Sequence, residues 1–347
     1  MSTQTDEAES QPPRSGCWNG LAALMVASAV LPLTIFIASQ LGRFLYVCEL
    51  ISNFQLFIFI SLLPFPLLLL LMRCWAWAVT LSIATIWSGV LVTQVYWPVD
   101  QPPPGEQVVR IMSYNVFGAN WNFEAAVTEI VSQDPDVLVV CEYTRNWHDI
   151  LQVLYDDYPH RLTLPRWHGF GIAVLSKIPI DSHEVLQLGT VVDKNGKRQT
   201  VTDNPVPVVN LKFGQRTVRL VGFHSLSPMN QQRMTLRNQQ FADLGKFLAK
   251  KDVPTILVGD LNCTTWSYFL KKDLLKRARL FDSRQGIGYQ GTWRADLKPF
   301  TIPIDHALVS RHIHVHDRWT GKAGGSDHLP IIVEVSVSPS EPSELVE

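Results

Sequence analysis

The sequence predicts an α/β domain carried behind a membrane region of three transmembrane helices. Three observations lead there. Charge is absent from three long apolar stretches in the first hundred residues. Strand-like and helix-like runs alternate from about residue 108 onward. Most of those strand-like runs end in a polar residue, the position expected of side chains at the rim of a sheet.

The membrane region covers residues 17–97. The 347 residues are 46% hydrophobic and 18% charged, averages that conceal a sharp split. Leu21–Ser39, Ile51–Met72 and Cys74–Trp97 hold no Asp, Glu, Lys or Arg. Each has about 20 residues, enough to cross roughly 30 Å of hydrocarbon. Trp18, Tyr96 and Trp97 stand at their ends, where interfacial aromatics gather. Pro32, Pro64 and Pro66 would break soluble helices but are tolerated in spans. A cleaved signal peptide is disfavoured, because no clear small-residue cleavage site follows the first stretch and two more stretches come after it. Only Arg73 and its neighbours separate the second and third stretches, which demands a tight hairpin. Arg14 and Arg73 would fall on one side, Arg43 and Arg110 on the other, so the positive-inside rule does not choose an orientation.

Outside this region the organisation is simple. Residues 1–16 and 338–347 are polar and read as disordered tails. Residues 98–107 contain Pro102, Pro103 and Pro104 and read as a stiff spacer lifting the next domain off the bilayer. Residues 108–337 form one globular domain. Its two cysteines, Cys141 and Cys263, read as buried thiols. A net charge of -1 supplies no global basic field for a nucleic-acid backbone.

Within the domain, strands are expected at Val108–Tyr114, Val137–Cys141, Ile172–Ser176, Val206–Phe213, Thr217–Phe223, Thr255–Val258, Asp305–Val309 and Ile331–Val337. Gly214 sits in a hairpin turn between two of them. Asn122–Ser132 shows helical spacing of Phe123, Ala126, Val127 and Ile130, and Asn230–Lys250 is a longer helix. Two packed sheets flanked by helices would suit this alternation.

Polar residues cluster at the strand ends. Glu142 follows an apolar run, where a carboxylate is either a satisfied terminus or a ligand for a hard cation. Asp260 and Asn262 are two apart on an extended segment, so both side chains point one way. A carboxylate can orient and deprotonate water, and an amide can donate to a phosphoryl oxygen. The same GDLN could equally be a turn. Asp327-His328 could divide metal binding from charge stabilisation, with Asp305 fixing the His328 tautomer. Gly324 and Gly325 allow that loop a close backbone approach. His224 and Asn115 are further strand-end candidates, each ordinary alone. The weight lies in their conjunction. By contrast, His312, His314 and His316 lack the Cys or carboxylate pattern of a zinc site and read as a solvated strand face. The basic run from Lys271 to Arg279 reads as a solvated helix face.

The motifs SYNVFG, VVCEYT, VGFHSLSP, LVGDLN, PIDHALVS and GGSDHLP together resemble those of the endonuclease/exonuclease/phosphatase (DNase I-like) superfamily. FGIAVLSKIPI resembles its structural motif leading into a central strand. The resemblance covers about two-thirds of the chain and implies a four-layer α/β sandwich with Mg²⁺- or Mn²⁺-dependent phosphoester hydrolysis. It implies metal-site roles for Glu142, Asp327 and Asn115. It further implies water activation by Asp260, phosphate contacts from Asn262 and His224, and a catalytic His328 partnered by Asp305. Many members carry Arg two residues before the Asp that matches Asp305; here Pro303 stands there, which removes that contact. Three spans before such a domain are similar to the bacterial membrane-bound members, including the VanJ-like teicoplanin-resistance proteins. That likeness implies a multi-pass protein of the cell membrane with an extracytoplasmic domain and a polyprenyl pyrophosphate or other lipid-linked substrate. The expectation is therefore a membrane-anchored, Mg²⁺-dependent phosphohydrolase. Its alternatives are a nuclease acting on DNA or RNA and a catalytically inactive membrane binding protein. Oligomeric state is not legible in the sequence.

Overall fold

The structure, a computed structural model, describes residues 16–192, 198–200 and 202–339. Of the expected tails at 1–16 and 338–347, residues 1–15 with Arg14 and residues 340–347 lie outside the described residues, whereas Gly16 begins a helix and the buried Ser338 N–H donates to the His312 carbonyl. The chain divides into two compact units, one of residues up to 38 with 55–92, the other of residues 39–54 with 93 onward.

The first unit holds most of helix α1 (Gly16–Gln40), α3 (Gln55–Leu62), α4 (Pro64–Leu71) and α5 (Trp75–Thr93). Among the described residues two helices, Gly20–Gln40 and Trp75–Tyr96, are long and apolar enough to cross a membrane, and the pair Tyr46–Ser52 with Gln55–Leu71 passes together but is bent by 75°. The hairpin after α4 turns on Arg73, which takes a left-handed conformation at φ 56°. The Phe59 ring lies against Gly89, 3.0 Å from where a side chain would begin there. The expected second span does not run unbroken from Ile51. Its first residues belong to a separate helix, α2 (Tyr46–Ser52), and Asn53-Phe54 interrupt the chain before α3. The physical reason is polar: Glu49 and Asn53 belong to the second unit and hydrogen-bond to Arg237 and Thr264 within it.

The second unit is built on two six-stranded mixed sheets. The strands are β1 (Val109–Asn115), β2 (Val137–Cys141), β3 (His160–Leu164), β4 (Ile172–Ser176) and β5 (Ile180–Gln187). A small separate pair follows, β6 (Thr190–Val192) and β7 (Arg198–Thr200). Then come β8 (Pro205–Phe213), β9 (Arg216–Gly222), β10 (Thr255–Asp260) and β11 (Leu280–Asp282). The chain ends with β12 (Asp305–Ser310), β13 (Ile313–Thr320) and β14 (Ile331–Val337). One sheet runs β13-β14-β1-β2-β4-β3 and the other β11-β12-β10-β9-β8-β5.

Period-two alternation explains the layering. Val109, Ile111, Val137 and Val139 of one sheet share a core with Val209, Leu220, Ile256 and Val258 of the other. Their neighbours Met112, Tyr114, Leu138 and Val140 face outward against helices α6 (Phe123–Gln133) and α7 (Arg145–Leu151). On the opposite outer face, Val221, Phe223 and Leu257 pack under helix α8 (Gln231–Leu248). Strands buried on both faces need apolar residues at successive positions, which is how these runs read.

Two expectations need correction. Residues 98–107 do not stand free as a spacer. The Gln101 side chain accepts from the Val315 N–H at 2.7 Å, the Pro102 carbonyl meets His314 Nδ1 at 2.7 Å, and the Gly105 N–H donates to Ser336 Oγ at 2.8 Å. The segment covers the exposed edge of β13, where unpaired backbone groups need partners. His312 is not on a solvated face either: it is buried, with Nε2 2.9 Å from Asp252.

Candidate active site

Strand wiring gathers the polar strand ends. β1 runs parallel to β2, and β9 parallel to β10, so each pair ends together. β12 is antiparallel to β10 and begins with Asp305 opposite Asp260. β14 is antiparallel to β1, which puts the loop carrying Asp327 and His328 just beyond the end of β1. At this rim a hydrogen bond links the sheets, Asn115 Nδ2 donating to Asp260 Oδ2 at 3.0 Å.

All eight residues singled out in the sequence fall around this contact. Glu142 takes φ 58° immediately after β2. Its Oε1 accepts from Asn115 at 3.2 Å and its Oε2 from the Gly118 N–H at 2.7 Å. Asp260 Oδ1 accepts from the Asn262 N–H at 2.8 Å. Asn262 donates from Nδ2 to the Ser225 carbonyl at 3.0 Å, which leaves its second amide proton free to donate elsewhere. His328 Nδ1 lies 2.8 Å from Asp305 Oδ2, and its Nε2 is 3.8 Å from Asp260 Oδ2. His224 Nε2 approaches the same Asp260 oxygen at 3.5 Å. Ser326 ties the last loop in place, donating to the Asn115 carbonyl at 2.7 Å and accepting from the His328 N–H at 3.0 Å.

Gly259, just before Asp260, is the glycine the site most needs. It takes φ 146°, and a Cβ there would run into the Phe223 carbonyl of the parallel strand. Gly324 at φ 54° lets its loop pass against the backbone of Ala126, as the paired glycines suggest.

The two histidines are driven apart in charge. Burial opposes a proton on His328, but Asp305 and Asp260 outweigh it and hold the ring up to about 10. Burial lowers His224, against the pull of Asp260. Burial pushes the Asp260 carboxyl up to about 6, against the pull of His328. Burial also raises Glu142, and the charge of Asp327 adds to that rise.

Asp327 Oδ2 accepts from Trp293 Nε1 at 3.0 Å, whereas its Oδ1 is buried with no hydrogen-bond partner among the described residues. An orphaned carboxylate oxygen sharing a cavity with Glu142 is an oxygen donor set short of positive charge. It fits a hard divalent cation. Asp260, Asp305 and His328 also bring ligating atoms within 4.8 Å of one another. His328 bridges the two carboxylates there, however, and its proton supplies the charge that a cation would bring.

Glu142, His224, Asp260, Asn262, Asp327 and His328 line a cavity of about 690 Å³. Its other wall is apolar, with Leu50, Phe54, Phe170, Met229, Ile302 and Ile304. Sequence patterning missed that wall, and with it Trp293 and Gly118. The only early signal for Leu50 and Phe54 was a lone Glu49 embedded in an apolar run.

The profile of the Endonuclease/Exonuclease/phosphatase family matches residues 112–328, more than half of the chain. The protein belongs to that family. Solved structures agree on its DNase I-like fold. Human Nocturnin, crystallised with a sulfate anion, is 18% identical with a TM-score of 0.53, covering 69% of this chain and 96% of its own. D. rerio TDP2, in complex with single-strand DNA product, is 14% identical with a TM-score of 0.54, covering 67% and 100%. A family member from Beutenbergia cavernae is 18% identical with a TM-score of 0.53, covering 67% and 72%. No curated protein matches the chain in sequence.

The pairing of His328 with Asp305 is open to a direct check. In Asp305→Asn the imidazole should lose its largest source of positive bias, and its titration midpoint should fall from about 10 toward the ordinary value near 6.5. NMR of labelled histidine reads this directly; an unmoved midpoint would contradict the assignment.

Proposed function

We propose that the protein is a membrane-anchored, divalent-cation-dependent phosphohydrolase that cleaves a phosphoester or pyrophosphate of a lipid. The observation that carries this is the convergence on one cavity of a buried base, a protonated imidazole and carboxylates with an unmet need for positive charge. Glu142 and Asp327, with Asn115 beside them, would hold Mg²⁺ or Mn²⁺. Such a cation, when bound, polarises a phosphoryl group and offsets charge on the leaving oxygen. Asp260 accepts a proton from water and aims it for in-line attack. Protonated His328, neutral His224 and the remaining Asn262 amide proton donate to phosphoryl oxygens as charge accumulates. Asp305 keeps His328 charged and oriented.

The lipid part of this proposal is supported by the apolar wall and by the surrounding loops. Trp121 follows β1 and is 77% exposed, and Trp167, next to Gly169 and Phe170, is 85% exposed. Met229 is 74% and Phe300 65% exposed. Large apolar groups concentrated on the loops of a site suit contact with a membrane or amphiphile.

Three spans belong to this proposal. Gly20–Gln40 and Trp75–Tyr96 support it by length and composition, as does the bent pair that ends in Gln55–Leu71, about 25 Å long at 1.5 Å per residue. In this topology the N-terminus faces the opposite side from the domain. We place the domain outside the cytoplasm. Reporter fusions at the two termini should report opposite compartments; the same compartment for both would exclude this topology.

The activity itself is tested with full-length protein in detergent. A polyprenyl pyrophosphate, an inositol phospholipid and plasmid DNA are offered in parallel with Mg²⁺. Phosphate or headgroup release from a lipid is expected, with a loss of at least about 10²-fold in Asp260→Ala. DNA nicking without lipid turnover would replace the proposal with a nuclease. The sign of the pH dependence follows from the site. Asp260 must be ionised, so the rate falls as pH drops through about 6, and His328 must be protonated, so it falls again above about 10.

A further inference from the structure

Residues 39–54 connect the first transmembrane helix to the next apolar helix, yet they are packed into the catalytic unit. Their anchor is an ion pair with no exposure on either side. Arg237 Nη2 on α8 donates to Glu49 Oε1 at 3.0 Å, and both side chains are fully buried. Glu49 also accepts from the Ser267 hydroxyl and from the Tyr268 N–H. Nearby, the Thr264 N–H donates to Asn53 Oδ1 at 2.7 Å, and the Tyr46 hydroxyl donates to the Pro228 carbonyl at 3.0 Å.

These contacts fall on the two loops that matter most. Residues 262–268 continue directly from Asp260 and Asn262, and Arg237 Nη1 also donates to the Asn262 carbonyl at 3.3 Å. Pro228 lies in the loop after His224, next to Met229 in the cavity wall. Leu50, Asn53 and Phe54 line the same cavity as Glu142, Asp260 and Asp327. The inter-span segment is therefore joined both to the loop that holds Asn262 and to the apolar half of the cavity.

We propose that residues 46–54 form a wall of the active site, latched by Glu49 and Arg237, and that Leu50 and Phe54 receive the apolar chain of the substrate. Glu49 and Arg237 are positioning residues that act through Asn262 and the wall. The inference rests on the phosphohydrolase function proposed above and adds its chain-length specificity. It also explains a buried ion pair between segments far apart in sequence: such pairs are costly to desolvate and serve best where they fix a unique arrangement.

The test uses full-length protein in detergent with farnesyl pyrophosphate and dimethylallyl pyrophosphate, which share a headgroup and differ in chain length. Wild type should favour the longer chain in kcat/KM. In Glu49→Gln and in Phe54→Ala that preference should fall at least about tenfold, mainly through KM for the longer substrate. The double variant Glu49→Gln/Arg237→Met, which leaves no unpaired buried charge, should recover it relative to Glu49→Gln. An unchanged preference in both single variants, with turnover intact, overturns the wall and leaves the phosphohydrolase function standing. If wild type turns over neither substrate, hydrogen exchange decides the latch. Faster exchange across 46–54 and 262–268 in Glu49→Gln supports it, and unchanged exchange in both overturns it.

Discussion

The structure of the site depends on keeping Asp260 buried. A carboxylate removed from water is costly unless other groups replace its hydration. Here the replacements come from different elements: the Asn115 amide at the end of β1, the Asn262 N–H after β10, and two imidazoles from the loops after β9 and before β14. No local segment could supply them together. They require two sheets packed face to face, with parallel pairs ending at one rim. The shared core below the site, from Ile111 and Val139 to Ile256 and Val258, holds the two halves of this shell in register.

The same burial separates roles among like residues. His224 and His328 are equivalent as sequence, both following or preceding apolar strands. They differ because Asp305 lies 2.8 Å from one ring of the two. The carboxylates Asp305 and Asp260 raise one imidazole while burial lowers the other, so like residues are driven apart by their environments. Glu142 and Asp327 are set apart in a third way, by an unmatched oxygen on Asp327 and by the charge of Asp327, which adds to the rise of Glu142.

Much of this was legible in the sequence. Strands with residues apolar at successive positions, such as Val137–Cys141 and Ile172–Ser176, have the expected bounds. So does Ile331–Val337, and the polar residues following such runs arrive at the site. Strands with one solvated or edge face were not seen. β5, reading Ile180 to Gln187, is mostly exposed at the end of its sheet and carries His183 and Glu184 where a buried strand would carry Val. β13 was taken for a solvated face because its histidines hid the hydrogen bonds it makes with residues 101–102. The Glu49–Arg237 pair lies 188 residues apart in sequence and leaves no periodic trace. Its consequence, a break at Asn53-Phe54 in an otherwise apolar stretch, was therefore read as continuous span.

Residues 39–54, which lie between two apolar helices in the sequence, fold with the DNase I-like domain. The proposed function has Glu142 and Asp327 holding a divalent cation beside Asp260. The most direct measurement is Mn²⁺ binding to the full-length protein, followed by electron paramagnetic resonance, in wild type and in Glu142→Gln and Asp327→Asn. Saturable binding that weakens at least about tenfold in each variant is the predicted result. Binding of equal strength in all three, or none in wild type, would contradict it.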